Sequence, residues 1–140
     1  MAVIDSRYRQ HLGQELYLFD SPFNGNTYVH LRKLVNGNVP TKDGISLTLS
    51  RCNELFMSLP FMEDAVTMME QNQDTFYRRH LGGNWYVTVQ SGFKRVDIRK
   101  FWIPEGAQEI QATKKGVSLT FDQFKRTKSG GRRRRNQPGF

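Results

Sequence analysis

The chain has 140 residues, with 21 Lys and Arg against 13 Asp and Glu, a formal charge of +8; apolar residues make up 37% and aromatics 12%. That composition supports a packed core and excludes wholesale disorder, while the apolar runs are too short for a membrane-spanning helix and the N-terminus shows no secretory h-region. The single cysteine, Cys52, excludes an internal disulfide and a cysteine-only zinc site, and fits an intracellular, reducing compartment. The charge is uneven: residues 1–70 hold 6 bases and 8 acids, residues 71–140 hold 15 and 5.

Along the chain, an internal repeat organises everything else. Tyr8-Arg9-Gln10-His11-Leu12-Gly13 returns as Tyr77-Arg78-Arg79-His80-Leu81-Gly82. Leu16-Tyr17-Leu18 answers Trp85-Tyr86-Val87, and Val29-His30-Leu31-Arg32-Lys33 answers Val96-Asp97-Ile98-Arg99-Lys100. Gly44-Ile45-Ser46-Leu47-Thr48 then answers Gly116-Val117-Ser118-Leu119-Thr120. Four matches in one order, with offsets drifting only in loops, point to a duplicated unit.

Within each unit, 16–19, 29–33 and 45–47, like 85–89, 96–102 and 117–119, read as strands from their aromatic, β-branched and alternating residues. Asn24-Gly25-Asn26 and Asn36-Gly37-Asn38 mark turns. Thr48 is placed to cap a helix carrying Cys52, Leu55, Phe56 and Leu59, which Pro60 breaks or kinks before 62–71 turns helical again. Met62, Met68 and Met69 on that segment read as an adaptable surface. Thr120 and Gln123 have capping-box spacing, with Phe121 and Phe124 facing inward. The expected fold class is α+β: two units of four antiparallel strands plus a C-terminal helix. A unit of about 60 residues buries little core alone, so the two pack as an intramolecular pseudo-dimer. The units span 1–72 and 73–128, and 129–140 is a flexible basic tail with Arg132, Arg133, Arg134 and Arg135.

The chemistry points to polyanion binding. A single nucleic-acid strand offers phosphates to Lys and Arg, and base faces to aromatics. Phe93-Lys94-Arg95 at a turn, and Arg99 with Phe101 on one strand face, supply both, and Asp97 stands where it can position Arg99. Strand aromatics such as Trp85 and Trp102 serve a core equally well. No phosphate-binding glycine loop, acid–base pair or metal-ligand spacing is visible, so no catalysis, cofactor or metal is expected.

The second unit resembles the positive cofactor 4 family of transcriptional coactivators. The resemblance lies in Tyr86-Val87-Thr88-Val89, Phe93-Lys94, Val96 to Trp102, Pro104-Glu105-Gly106 and Lys114-Lys115-Gly116-Val117-Ser118-Leu119. The first unit is similar but more diverged, with Val35 at the position of Trp102 and Asp43 at that of Lys115. Members of that family pair two sheets to bind single-stranded DNA, and the resemblance implies a tandem version here. It implies contacts from Phe93, Lys94, Arg99, Trp102, Lys114 and Lys115, with Arg95 beside them, and from Phe23, Arg32 and Lys42 in the first unit.

The expected function is therefore a non-enzymatic, sequence-tolerant single-stranded DNA-binding protein, coactivator-like, in transcription, replication or repair. The alternatives are single-stranded RNA binding, or a scaffold or structural subunit of a nucleic-acid-processing or packaging assembly. Partners are single-stranded DNA or RNA and transcription or replication proteins, with no membrane; one chain suffices, and further self-association stays open. The arginine run is compatible with nuclear import.

Overall fold

The computed structural model describes residues 9–127. The sequence expectation for a tail at 129–140, with its four arginines, lies outside the described residues.

Among the described residues, eight strands form two four-stranded antiparallel sheets, each in sequential order. The first holds β1 (Arg9–Gly13), β2 (Leu16–Phe23), β3 (Asn26–Val35) and β4 (Val39–Thr48). Helix α1 (Leu49–Glu70) follows, then β5 (Phe76–Gly82), β6 (Trp85–Gln90), β7 (Phe93–Trp102) and β8 (Gln111–Leu119). A second helix, α2, covers 121–127. The expected order of four strands and a helix, twice over, is what the chain forms.

Local chemistry explains the boundaries. Asn24 (φ 50°) and Gly25 (φ 80°) form the two-residue β2–β3 turn, the left-handed pairing whose twist suits a hairpin. Asn36 (φ 53°) and Gly37 (φ 75°) turn the chain between β3 and β4. The repeated motif around Tyr-Arg-x-His-Leu-Gly proves to be the first strand of each sheet. Both copies carry a bulge just before the glycine, between His11 and Gly13 and between His80 and Gly82. Bulges tighten strand twist.

Pro60 does not divide the helix: α1 runs unbroken for 22 residues with Pro60 inside it. Pro60 removes the donor for the Phe56 carbonyl. The loss is tolerated because burial holds the helix on both sides of it, through Cys52 and Ser58 before and Met62, Ala65, Val66 and Met69 after. The latter four follow helical spacing on one stripe. Met62 and Met69 are thus core residues, and the adaptable methionine surface expected there does not form; the large apolar side chains exposed on α1 are Leu49, Met57 and Phe61. Thr48 caps α1 by accepting from the Arg51 amide at 3.2 Å. Thr120 and Gln123 close the expected capping box, at 2.9 and 3.1 Å.

One core joins the two units. The inner face of the first sheet supplies Leu12, Leu16, Val29, Leu31, Ile45 and Leu47, and that of the second supplies Leu81, Trp85, Val87, Val89, Val96, Ile98 and Leu119. Cys52 and Phe124 seal the cluster from the two helices. Each helix reaches across to the other unit. The α1 stripe packs on β5 and β6, and Glu54 pairs with Arg79 at 2.9 Å. Reciprocally, Gln123 of α2 donates to the Gly13 carbonyl at 3.0 Å, and Gln10 donates to the Arg126 carbonyl. Gln10 and Arg79 are equivalent in the repeat, so the two crossings are made by matching positions.

Candidate nucleic-acid interface

With one face of each sheet committed to the core, alternation sends the intervening side chains to the opposite, outer face. The strand registers arrange these in rows. In the first sheet one row reads His11–Tyr17–Arg32–Gly44 and the next Arg9–Phe19–His30–Ser46. In the second they read His80–Tyr86–Arg99–Gly116 and Arg78–Thr88–Asp97–Ser118. The rows differ only at Phe19 against Thr88 and at His30 against Asp97. Phe19 and Thr88 are buried, but core packing does not explain the likeness of His11, Tyr17 and Arg32 to His80, Tyr86 and Arg99, which stay exposed or half-buried on the face away from the shared core.

The arginines at the centre of the rows are held by the same bonds. Arg32 Nη1 donates to the Thr41 carbonyl at 2.9 Å, and Arg99 Nη1 to the Thr113 carbonyl at 3.0 Å. Thr41 and Thr113 in turn donate their hydroxyls to the Lys33 and Lys100 carbonyls, at 2.9 and 2.6 Å. Glycine opposite each arginine makes this possible. A Cβ on Gly116 would lie 2.8 Å from Arg99 Cζ, and one on Gly44 2.5 Å from Arg32 Cα.

The electrostatics differ between the sheets. Arg99 Nη2 donates to Asp97 Oδ1 at 3.0 Å and Nε to Oδ2 at 3.1 Å, and Ser118 donates to the same carboxylate at 2.8 Å. The positioning role expected of Asp97 is therefore realised. In the first sheet His30 occupies that place, hydrogen-bonded through its two ring nitrogens to Ser46 and Ser21, each at 2.7 Å. Burial, and next the neighbouring Arg32 charge, push the His30 pKa below its ordinary value, with Asp20 opposing. Burial also lowers Arg32, against Asp43.

Aromatic rings fill the rest of the outer faces. His11 stacks on Tyr17 with centroids 4.6 Å apart, and His80 lies against Tyr86 at 4.8 Å. Tyr86 meets the edge of Phe101 at 5.2 Å.

The expected contact residues are distributed as follows. Phe93, Lys94 and Arg95 are exposed at the start of β7, and Lys114 and Lys115 are exposed on β8 beside Thr113, whose carbonyl holds Arg99. Trp102 is exposed at the far end of β7, whereas Trp85 is buried. Phe93 pairs across the hairpin with Gln90 on the outer face. Lys94 instead lines a hollow with Met69, Asn72 and Asp74 at the end of α1. Phe23 precedes its turn on β2 while Phe93 follows its own on β7, so the two phenylalanines sit on opposite strands of their hairpins. Lys42 is exposed beside Thr41, and Val35 takes the end of β3 where β7 has Trp102. Arg132, Arg133, Arg134 and Arg135 lie outside the described residues. Sequence reading missed Arg9, Arg78, His11, His80, Tyr17 and Tyr86. The signal was the repeated six-residue motif, which betrays a strand once its alternation is followed.

Among the described residues no cluster of His, Cys, Asp and Glu could hold a metal ion, and no helix is long and apolar enough to cross a membrane.

Fold and face define a class: paired antiparallel sheet–helix units sharing a core, with aromatic and cationic side chains ranked on the outer faces. Residues 80–129, most of the second unit, match the family model described as Transcriptional Coactivator p15 (PC4). No curated protein and no solved structure matches the chain.

Proposed function

We propose that the protein binds single-stranded DNA through the outer faces of both sheets, without sequence preference, as a coactivator-like factor in transcription, replication or repair. The observation that carries this reading is the pair of matching His–Tyr–Arg–Gly rows, joined to a family match over the second unit. Stacked aromatics and fixed guanidinium groups serve a flexible strand whose bases are unpaired and whose phosphates recur at each nucleotide. A duplex hides its base faces and gains little from such a surface.

In this reading the two units act as a covalent pseudo-dimer. Phe93, Arg95 and Trp102 stack on or flank the bases. Arg99, Lys114 and Lys115 meet phosphates, as do Arg32 and Lys42, with Phe23, in the first unit; Lys94, beside the hollow at the end of α1, meets the strand only at the margin of the outer face. Arg132 to Arg135 add a sequence-independent hold. No step of catalysis is assigned. RNA offers the same groups and is the main alternative ligand.

The test is fluorescence anisotropy of a labelled 20-nucleotide single strand against its duplex, over several salt concentrations. The expected result is tighter single-strand binding that weakens with salt and with Arg99→Ala or Phe93→Ala. Equal binding to both forms overturns the reading. A second reading, a protein-interaction scaffold, is favoured by Leu49, Met57 and Phe61 exposed on α1. Capture of nucleic acid alone, lost on nuclease treatment, counts against it.

A further inference from the structure

The outer edge of the second sheet carries charge and aromatic surface beyond the contacts that the family resemblance implies. Strand β5 is the edge strand of its sheet, and its alternate residues Phe76, Arg78 and His80 take the outer face. Phe76 is 63% exposed. The Arg78 guanidinium carbon lies 5.1 Å from the Phe76 ring centroid and 4.9 Å from that of Phe101, and Nε donates to Thr88 Oγ1 at 3.0 Å.

Two features make this more than an exposed edge. First, the charge is free: Arg99 spends its guanidinium on Asp97 and the Thr113 carbonyl, whereas among the described residues no carboxylate pairs with Arg78. Aromatic rings and one hydroxyl orient Arg78 without neutralising it, leaving its positive charge for a phosphate. Second, the edge is continuous with the proposed interface. The register pairs Phe76 with Gln90, and Gln90 with Phe93. The two exposed phenylalanines therefore stand in one row, two strand spacings or about 10 Å apart.

We infer that β5 forms a second contact track for single-stranded nucleic acid, with a base on Phe76 and a phosphate on Arg78, so that one strand crosses the sheet from β7 to its edge. The inference rests on the single-strand reading above and extends it to a strand which that reading leaves unused. Charge complementarity selects a polyanion over a second copy of this chain, since β5 carries Arg78, Arg79 and His80 and no carboxylate of its own, so that pairing two such edges would bring like charges together.

The test uses the full chain, a fluorescein-labelled 20-nucleotide oligothymidylate, and the variants Phe76→Ala, Arg78→Ala and Arg78→Lys. All three alter side chains at the sheet edge, and unchanged thermal unfolding confirms that each still folds. Phe76→Ala weakens binding about five-fold or more, the lower end of what one stacked base contributes. Arg78→Ala weakens binding and reduces the logarithmic salt slope by about 0.7, one phosphate's worth, while Arg78→Lys keeps the slope. If the unaltered chain binds tightly and all three variants match it, the β5 track is wrong and the β7 interface stands. If Phe76→Ala instead changes the sedimentation coefficient and leaves affinity alone, the edge joins copies of the chain and the inference is overturned. If the unaltered chain shows no single-strand preference, the underlying reading falls as well.

Discussion

Arg99 and Asp97 lie on the same face of β7, two residues apart, and the guanidinium bonds both carboxylate oxygens. At the equivalent place in the first sheet Arg32 has His30, whose lowered pKa keeps it uncharged near neutrality. The two arginines have the same carbonyl anchors but different net charge around them. Asp97→Asn keeps an acceptor for Arg99 and Ser118 while removing the negative charge. It is expected to tighten single-strand binding several-fold and steepen its salt dependence. His30→Asp should do the reverse in the first sheet. Anisotropy titrations of both variants at two salt concentrations check the pair, and opposite signs are required.

How legible was this in the sequence? The last three strands of each sheet, both turns, both helix caps and the repeat followed from alternation, Asn-Gly pairs and Thr spacing, because those signals are local; β1 and β5 were visible only as the repeated motif and not as strands. Three features were not local. The helix runs through Pro60 because the second sheet holds its far half, and burial by a distant element outweighs one lost backbone bond. Met62 and Met69 look adaptable in sequence and prove to be core for the same reason. The outer rows emerge only from register, which brings His80, Tyr86, Arg99 and Gly116 together from four strands. Arg99 and its neighbour Asp97 could be singled out from residue type; the row partners His80, Tyr86 and Gly116 could not.

Glycine at the ends of these rows is a packing requirement. A Cβ on Gly44 would fall 2.3 Å from the Leu31 carbonyl oxygen and 2.5 Å from Arg32 Cα, both backbone. Gly44→Ala is expected to cost about 2–3 kcal/mol, since β3 and β4 must separate to admit the methyl. At Gly116 the obstruction includes the Arg99 side chain, at 2.8 and 2.9 Å, and the Ile98 carbonyl at 2.9 Å. Gly116→Ala should therefore impair single-strand affinity as well as stability. Urea denaturation and anisotropy on the same two proteins separate the effects.

The half-buried environment of His30 gives the fold an acid-sensitive point. Its folded pKa lies below its unfolded value of about 6.5. Between those two values the unfolded chain binds the proton more readily, so stability rises with pH there. The His30 contribution is complete above about pH 6.5 and is lost as pH falls toward the folded pKa. His30→Gln, which keeps hydrogen bonding without titrating, is expected to flatten the decline in stability between about pH 7 and pH 5. Denaturant midpoints at steps of pH for both proteins measure it, and an unchanged slope would show that His30 is not the source.

Gln123 ties the end of one unit to the start of the other. Its side-chain oxygen accepts from the Thr120 amide and its nitrogen donates to the Gly13 carbonyl, and the residue is buried. Gln123→Ala removes half of a capping box and leaves a carbonyl at the β1 bulge without this donor. A loss of about 1–3 kcal/mol is expected in urea denaturation. The α1 counterpart Thr48→Ala removes only one cap acceptor and should cost about 1 kcal/mol.

The basic tail makes the sharpest separation between affinity and selectivity. Deleting residues 129–140 removes Arg132 to Arg135 and takes the formal charge from +8 to +4. For every phosphate that the arginines no longer neutralise, the logarithmic salt slope should flatten by about 0.7. Affinity for single strand and duplex should then fall together, because a phosphate contact carries no information about stacking. The ratio between them should persist, because the aromatic rows on the sheets remain. A ratio that collapses to one with the tail removed would place selectivity in the arginines and leave the outer faces without the role assigned to them.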